Sequence, residues 1–315
     1  MAAYNGAAYI RQAIDSALSQ TFGGFELLII DDGSTDESVR IVEEYTDPRI
    51  RLLRNQGNLG LFRTRKRGVE EARGKYFATL DCDDMAPADR LNLQLSYFKE
   101  HPDCVLCGGR IKYIDTQSRV IGKFSPVRDN PDHLRTLLLF TNIFSNSTTM
   151  IETELLREFQ FRHGYEPAED FDVFERIAEG HRVGFINSFL AFYRVHNSNV
   201  STLKQEVRKR AEREIIGRQL KRLGFEYAPE DMDLHMTFTT GEFDFGKHPL
   251  GAYAAWLNRL KDRNRQTKVL NTAEFDLAIA RQWVRLCRAR WGMARDIKPL
   301  FQAGMINYRT IIGLI

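Results

Sequence analysis

Two apolar runs in this chain each end in a cluster of carboxylates. Residues 76–80 are followed by the acidic tetrapeptide Asp-Cys-Asp-Asp at 81–84, and residues 25–30 are followed by Asp31 and Asp32. Neighbouring parallel strands end at the same edge of a sheet, and ligands bind beyond that edge. Crowded carboxylates raise one another's pKa unless a cation lies between them. The two runs therefore predict an α/β fold whose sheet edge carries a nucleotide and metal site.

The first 200 residues alternate between patterns typical of helices and of strands. After a helix between Ile10 and Leu18, they predict strands at 25–31, 49–53, 75–81, 104–115, 119–124, 148–152 and 183–195, and helices at 60–73, 87–100, 130–140 and 169–180. The alternation predicts one mixed, mostly parallel, Rossmann-like sheet with helices on both faces. Ser34 and Glu37 match a capping box, which predicts a helix from Ser34 to Tyr45. The later residues are mostly helical, so we predict domains at 1–200 and 201–315.

Composition narrows the class of protein. The chain has 315 residues, 43% of them hydrophobic, and a formal net charge of +3. It can therefore form a sizeable core, and its overall charge does not favour nucleic acid. Its four cysteines form no disulfide pattern, and neither a signal peptide nor a run of ~18 apolar residues is present. We expect a cytoplasmic protein without a nucleic-acid partner.

Seven short motifs occur along these 200 residues in a fixed order. They are A-Y-N (3–5), I-D-S-A-L-S-Q-T (14–21), I-I-D-D-G-S-T-D (29–36), N-L-G (58–60), G-K-Y-F-A-T-L-D-C-D-D (74–84), A-E-D-F-D (168–172) and Y-R-V-H-N-S-N-V-S (193–201). Each motif alone has low specificity, but in this order they strongly resemble the family 2 glycosyltransferases. The resemblance implies a GT-A fold over residues 1–200 and inverting transfer of a sugar from a nucleotide sugar.

The acidic tetrapeptide is the predicted metal site. A divalent ion stabilises a diphosphate leaving group, and carboxylate oxygens suit Mn²⁺ or Mg²⁺. If the strand continues through the tetrapeptide, Asp81 and Asp83 lie on one side and Asp84 on the other. By resemblance to the family's DXD motif, Asp83 is the metal ligand, Asp81 contacts the ribose or the metal's water shell, and Asp84 is a further helper. The alternative is a solvated acidic turn that caps the next helix.

Residues near the amino terminus are predicted to bind the nucleotide. A carboxylate at Asp32 would accept the N3–H of uracil, a donor that cytosine lacks, and the resemblance assigns this role to that position. The same resemblance places Tyr4 and Asn5 under the base and turns Arg65 toward the nucleotide. Residues 31–34 also fit a plain turn and helix cap, which explains the serine but not the paired acids.

Asp170, in the A-E-D-F-D motif, is the predicted catalytic base. Inverting displacement at an anomeric carbon needs one carboxylate to take the proton of the acceptor hydroxyl. Glu169 and Asp172 are its rivals, and acids at this position also stabilise the amino terminus of a helix. His196 follows a predicted strand where family members bring a histidine or basic group to the diphosphate or the metal. A purely structural histidine is the alternative.

The amino terminus departs from the family pattern. Family members usually begin with an apolar strand of the V-S-V-I-I-P type before the Tyr-Asn pair, whereas this sequence begins with Met1 and two alanines. We therefore expect that the first strand is truncated and that an in-frame apolar stretch lies upstream of the start codon. A stop codon directly upstream would refute this.

The carboxyl-terminal region mixes cationic and aromatic side chains. Three arginines share one helical face, and the mixture as a whole comprises Arg281, Trp283, Arg285, Arg288, Arg290, Trp291, Arg295, Lys298, Phe301 and Tyr308. It suits peripheral contact with an anionic membrane, at the inner face of which a lipid-linked acceptor would lie. An ordinary solvated helix face with tryptophans in the core is the alternative.

These features predict an inverting, metal-dependent hexosyltransferase. It would move a sugar from a UDP-sugar to a hydroxyl of a glycan or glycolipid, in the synthesis of a bacterial surface polysaccharide. Two alternatives come from other classes. A sugar nucleotidyltransferase would need a Gly-rich phosphate loop, whereas Gly23 and Gly24 precede a strand without a basic neighbour. A non-catalytic nucleotide-sugar binding protein would bind the donor without turning it over.

Overall fold

The computed structural model describes residues 1–197, 199 and 203–291. The strands are β1 Ala2–Ala3, β2 Leu27–Asp31, β3 Ile50–Arg54, β4 Tyr76–Ala78, β5 Cys104–Ile114, β6 Val120–Lys123, β7 Met150–Glu152 and β8 Arg182–Arg194. The helices are α1 Ile10–Leu18, α2 Ser38–Glu43, α3 Leu61–Glu71, α4 Arg90–Glu100, α5 Pro131–Leu137, α6 Thr153–Phe159, α7 Glu169–Gly180, α8 Gln205–Arg222, α9 Pro229–Thr240, α10 Leu250–Thr267 and α11 Thr272–Trp291, with a 3-10 turn at Asn146–Thr148.

The strands form two sheets. In the first, β1, β2 and β3 run parallel, with Ala3 opposite Asp31 and Asp31 opposite Arg54. In the second, β4, β7, β5 and β6 pair antiparallel in that order, and β8 runs parallel to β5. This is a mixed α/β fold with a helical carboxyl-terminal region, as predicted. The difference is that two sheets occur where the sequence suggested one.

The strand β2 is the centre of the first sheet. All five of its residues are buried, because consecutive apolar residues can face helices on both sides of a parallel strand. Ile10 and Ile14 of α1 pack into the same apolar cluster as Ile29 of β2. Residues of β2 and β4 together line a cavity of about 330 Å³, whose wall includes Leu28 and Phe77. The expectation that β1 is the end of a longer, truncated strand stays a prediction.

The chain forms two compact units. Among the described residues, the first comprises 1–129 and 144–212 and contains both sheets, while the second comprises 130–143 and 213–291. The helix at 130–140, which the sequence placed in the first domain, therefore belongs to the second unit. Trp256, Trp283, Tyr253, Phe238 and Phe275 are among the fully buried side chains of that unit.

The predicted basic face of α11 is only partly exposed. Trp283 is buried, Arg281 Nη1 lies 2.6 Å from His133 Nε2, and Arg285 donates to the carbonyl of Phe238 at 2.7 Å. The part of this prediction that rests on Arg295, Lys298, Phe301, Tyr308 and the side chain of Trp291 lies outside the described residues. Among the described helices, none combines the length and the apolar character that crossing a bilayer requires.

Candidate active site

The acidic tetrapeptide forms a turn and not the end of a strand. β4 ends at Ala78, and the N–H of Asp84 donates to the carbonyl of Asp81 at 3.2 Å. The expected strand alternation is therefore wrong here. Asp84 is buried, and its Oδ1 accepts the backbone N–H of Arg194 at 2.8 Å. Burial, reinforced by the charges of Asp83 and Asp81, raises the pKa of Asp84 well above its ordinary value. Asp84 thus anchors the turn to β8.

Asp81 accepts hydrogen bonds from a cation and an amide. Its Oδ1 lies 3.1 Å from Nη2 of Arg65 and 2.9 Å from Nδ2 of Asn146. Its backbone N–H donates to Oγ of Ser147 at 3.1 Å. These contacts fix the acidic turn beside the 3-10 turn, and they orient one carboxylate oxygen of Asp81.

Asp83 faces a histidine. Its Oδ2 lies 2.9 Å from Nε2 of His196 and 3.4 Å from Nδ2 of Asn199. Burial and the nearby charge of Asp81 raise the pKa of Asp83, while His196 acts in the opposite direction. The structure therefore brings together Asp83 and His196, which are 113 positions apart in the sequence. Asn199 had no role in the sequence-based prediction, although it lies in the motif that contains His196.

Arg194 holds the acidic turn in place. Its side chain is fully buried, its Nε donates to the carbonyl of Asp83 at 2.8 Å, and its Cζ lies 4.5 Å from the centre of the Tyr9 ring. Its other nitrogens donate to the carbonyl of Asp115, to Oγ of Ser118 and to Oε1 of Gln12, at 3.0, 3.0 and 2.7 Å. No role was predicted for this arginine, because nothing in the motif shows that one guanidinium reaches three separate segments.

Replacing Arg194 with lysine is expected to lower the free energy of unfolding by about 2–4 kcal/mol, because an ammonium group cannot reach all of these acceptors and leaves some of them buried and unpaired. Arg182→Lys, on the same strand, is the matched control. Arg182 pairs with the exposed Asp103, so that change should cost less than about 1 kcal/mol. Urea denaturation of both variants measures the difference, and equal losses would refute the role given to Arg194.

Asp170 lies in the first turn of α7. It is half-buried, and its Oδ1 accepts the backbone N–H of Phe171 at 2.7 Å. Burial, followed by the charge of Glu169, raises the pKa of Asp170 to about 7, against the opposing effect of Arg65. A carboxylate with such a pKa can accept a proton near neutral pH.

The two other candidates for the catalytic base form ion pairs with arginines. Glu169 and Asp172 are both fully buried. Oε1 of Glu169 lies 2.6 Å from Nη1 of Arg65, and Asp172 pairs with Arg162 and with Arg176, the latter at 2.9 Å. Asp172 therefore ties α7 to its surroundings, and Glu169 belongs to the Arg65 network.

Arg65 bridges the acidic turn and the start of α7. It contacts Asp81 with one nitrogen and Glu169 with another. Burial opposes the charge of this guanidinium, but Asp81, Glu169 and Asp170 together raise the pKa of Arg65. The predicted approach of Arg65 to a nucleotide stays a prediction, and the structure adds a contact that the sequence did not reveal.

The two acids after β2 organise separate loops. The carboxylate of Asp31 accepts the N–H groups of Gly33 and Ser34, both at 3.2 Å. Ser34 does not cap a helix: its Oγ accepts the N–H of Asn5 at 3.0 Å, and α2 begins only at Ser38. The plain turn is thus the correct interpretation of Asp31, whereas the predicted capping box is wrong.

Asp32 holds the loop that contains the N-L-G motif. Its Oδ1 accepts hydrogen bonds from Nδ2 of Asn55 at 2.7 Å and from the backbone N–H of Leu59 at 2.9 Å. Its Oδ2 accepts a hydrogen bond from the backbone N–H of Gly60 at 2.9 Å. Gly60 has a φ of 88°, which favours glycine. The structure therefore explains this motif through a contact with Asp32.

Tyr4 and Asn5 lie beside the 31–36 turn. Oδ1 of Asn5 accepts the N–H of Thr35 at 2.9 Å, so this side chain fixes the turn. Tyr4 is 49% exposed, which leaves its ring accessible to a ligand. Their predicted place under a nucleobase stays a prediction.

The acidic turn fits a hard divalent ion that shares its ligands with a substrate. Among the described residues no group of three or more His, Cys, Asp or Glu side chains is already arranged as a metal site. A Mg²⁺-type site, however, commonly uses one or two protein ligands together with substrate phosphates, and Asp83 and His196 can supply two. Glu169 Oε2, Asn146 Oδ1 and Arg65 Nε are buried without a hydrogen-bond partner. Unpaired polar atoms around an acidic turn are typical of a site that a ligand completes.

Comparison with known proteins identifies the family. The model of glycosyl transferase family 2 matches residues 1–159. The chain is 28% identical over 242 residues to an uncharacterized glycosyltransferase of Haemophilus influenzae, a match that covers 71% of this chain and 74% of that protein. It is 30% identical over 213 residues to the UDP-Glc:alpha-D-GlcNAc-diphosphoundecaprenol beta-1,3-glucosyltransferase WfgD of Escherichia coli, covering 67% of this chain and 81% of WfgD.

Solved structures show the same fold. S. aureus TarS in complex with UDP-GlcNAc has a TM-score of 0.60 at 19% identity and covers 94% of this chain and 91% of its own. The mannosyltransferase PcManGT from Pyrobaculum calidifontis, in complex with GDP-Man and Mn²⁺, has a TM-score of 0.55 at 16% identity, with coverages of 93% and 86%. The predicted GT-A fold is confirmed, and the relatives include enzymes of bacterial polysaccharide or glycolipid synthesis. The chain belongs to glycosyl transferase family 2 and is a glycosyltransferase.

Proposed function

We propose that this chain is an inverting, metal-dependent glycosyltransferase that moves a sugar from a UDP-sugar to a hydroxyl of a glycan or glycolipid. The observation that carries the proposal is the position of Arg65, whose side chain is 11% exposed and lies 3.1 Å from Asp81 and 2.6 Å from Glu169. This single guanidinium joins the acidic turn to the first turn of α7. The proposed donor site and Asp170, the proposed base, therefore lie within reach of one side chain.

Asp83 and His196 would hold the metal ion, with Asp81 toward the ribose or the ion's water shell. A bound Mn²⁺ or Mg²⁺ ion would stabilise the charge that develops on the departing diphosphate. Arg194 supports this arrangement, since its guanidinium holds the backbone carbonyl of Asp83. Asp84 would support the same turn, since its carboxylate accepts a hydrogen bond from the backbone of β8.

Asp170 would take the proton of the acceptor hydroxyl. The hydroxyl oxygen attacks the anomeric carbon from the face opposite the diphosphate, a new C–O bond forms, and the C–O bond to the diphosphate breaks. The configuration inverts, the proton remains on Asp170, and UDP leaves. The pKa of about 7 supports this role, because a good fraction of Asp170 is ionised at neutral pH and is still basic.

Asp32 would recognise the uracil. Among the described residues its Oδ2 accepts one hydrogen bond, from Gly60, and a carboxylate oxygen can accept two. One position therefore remains for the N3–H of the base. The UDP complexes of TarS and the UDP-Glc donor in the name of WfgD support a UDP-sugar, whereas PcManGT binds GDP-Man and represents the competing outcome.

A thermal-shift panel of UDP-, GDP- and dTDP-sugars, each with and without Mn²⁺, tests the donor assignment. We expect UDP-sugars with Mn²⁺ to raise the Tm by about 5 °C or more, since a ligand at ~100 times its Kd stabilises a protein by about 2.7 kcal/mol. The other nucleotides and the UDP-sugars without Mn²⁺ should act more weakly. Stabilisation by GDP-sugars alone would overturn the assignment of uracil to Asp32.

The acceptor would be lipid-linked, and the enzyme would work in the cytoplasm at the inner face of the cell membrane. The name of WfgD describes a diphosphoundecaprenol acceptor, which supports this setting. A surface that binds lipid would then keep the enzyme near its acceptor.

A further inference from the structure

One face of the second sheet carries a basic and aromatic patch. The β5–β6–β8 patch consists of Arg110, Lys112, Ile121, Lys123, Phe189 and Phe192. Lys112 lies opposite Lys123 on β6 and opposite Phe192 on β8, and Arg110 lies opposite Phe189. Directly opposed residues point to the same face of a sheet. The register therefore gathers the three cations and the two rings on one surface of the first unit, and Ile121 lies at the register shift of β6, two residues before Lys123.

The phenylalanine rings of the patch are covered by cations. Arg110 Cζ lies 4.2 Å from the centre of the Phe189 ring, and Lys112 Nζ lies 4.9 Å from the same ring and 5.5 Å from that of Phe192. These are cation–π distances. Both rings are therefore partnered by cations of the same patch.

The positive charge of the patch is not neutralised. Lys112 and Lys123 lie directly opposite each other, an arrangement that destabilises a sheet, and neither forms an ion pair with a described carboxylate. Arg110 donates to the backbone carbonyls of Phe124 and Asn187, which leaves its charge in place. Three cations on one surface complement an anionic partner.

Bare aliphatic side chains lie beside these cations. Val120 and Ile121 of the edge strand β6 are each 58% exposed. A soluble polyanion would gain little from them, whereas aliphatic side chains next to cations suit the boundary between lipid head groups and acyl chains.

We propose that the β5–β6–β8 patch docks the protein on the surface of an anionic lipid bilayer. Lys112, Lys123 and Arg110 would bind lipid phosphates, and Ile121 would enter the acyl boundary. β8 runs from this patch directly to Arg194 and His196, so docking would hold the active site close to the membrane. The use of this surface by the enzyme rests on the proposed lipid-linked acceptor, but the binding itself requires no turnover.

Co-sedimentation of the full chain with vesicles tests the proposal. Vesicles of phosphatidylcholine alone are compared with vesicles that contain phosphatidylglycerol, and the variant is Lys112→Gln with Lys123→Gln. We expect the wild type to prefer phosphatidylglycerol and the double variant to bind about 30-fold more weakly, since each cation near an anionic surface contributes roughly a fivefold gain. Ile121→Ser should also weaken binding.

Two control pairs sharpen the test. Lys99→Gln with Lys221→Gln removes the same charge from exposed positions elsewhere and should change binding by less than about fourfold. The Tm of the patch variant should not fall, because it loses a repulsive pair.

The proposal is overturned if the wild type does not prefer anionic vesicles, if the two double variants bind equally, or if Arg288→Gln with Arg290→Gln on α11 abolishes binding instead. Patch-dependent binding to heparin without binding to vesicles would also overturn it, in favour of an anionic glycan.

Discussion

Replacing Asp170 with asparagine is expected to slow sugar transfer by about 10²- to 10⁴-fold, the usual contribution of a general base. The affinity for UDP in the presence of Mn²⁺ should change by less than about twofold, because asparagine keeps the shape of the side chain. UDP release from the donor that the nucleotide panel selects measures the first quantity, and calorimetry measures the second. A variant that retains more than about a tenth of the wild-type rate would exclude Asp170 as the base.

The pH dependence of stability distinguishes a lost base from a damaged fold. The pKa of Asp170 is raised to about 7 in the folded protein, above the ~3.9 of an unfolded chain. Such a group stabilises the folded state below its unfolded pKa, and this contribution is lost as the pH rises through the folded pKa. At about pH 8 the Asp170→Asn variant should therefore have a higher Tm than the wild type. The wild-type kcat/KM should also fall about tenfold per pH unit below about pH 7.

Replacing Asp83 with asparagine is expected to weaken Mn²⁺ binding in the presence of UDP by at least about 100-fold, because a neutral amide oxygen is a much poorer ligand for a hard cation than a carboxylate. Transfer should fall by a similar factor. Electron paramagnetic resonance of Mn²⁺ measures the binding, and unchanged affinity would remove Asp83 from the metal site.

A matched variant controls for the loss of a negative charge. Asp89 is exposed, lies at the start of α4 and makes no side-chain capping bond. Asp89→Asn therefore removes the same charge from the same segment of chain, and it should leave Mn²⁺ affinity within about twofold. Equal effects of the two changes would mean that general electrostatic attraction, and not ligation by Asp83, binds the ion.

Periodicity in the sequence predicted most of the first unit. The expected helix at 169–180 is α7, and the strands expected at 104–115 and 183–195 are β5 and β8 with bounds shifted by one residue. These elements are long and strongly patterned, so local sequence determines them. The expected strand at 75–81 is shorter, because the acidic residues after Ala78 fold into a turn.

The contacts that build the site depend on residues far apart in the sequence. Arg65 meets Glu169 across 104 positions, and Arg194 meets the carbonyl of Asp83 across 111. The sequence identified the acids and Arg65, but not the contacts that Arg65 and Arg194 make with them, because a local pattern does not show which distant carbonyl or carboxylate a long side chain reaches. The helix cap predicted at Ser34 is wrong for the same reason, since its hydroxyl oxygen accepts a hydrogen bond from the backbone N–H of Asn5.

The second unit was the hardest part to predict. His235 is fully buried in it, where its Nε2 donates to the carbonyl of Leu139 at 2.8 Å and its Nδ1 accepts the indole N–H of Trp256 at 3.1 Å. Burial lowers the pKa of His235 to about 4. No periodic pattern shows that residues 130–143 pack with helices about a hundred positions later, because that contact is set by tertiary structure alone.

Calorimetric titration of the full chain with UDP, in Mn²⁺ and again in EDTA, tests most directly whether the acidic turn is a metal-dependent donor site. We expect saturable binding of one UDP per chain, at least about tenfold tighter with Mn²⁺ than with EDTA, because an ion held by Asp83 and His196 would offset the negative charge of the diphosphate. Equal affinity in the two buffers, or no nucleotide binding in either, would contradict the metal-dependent mechanism proposed for Asp83 and Asp170.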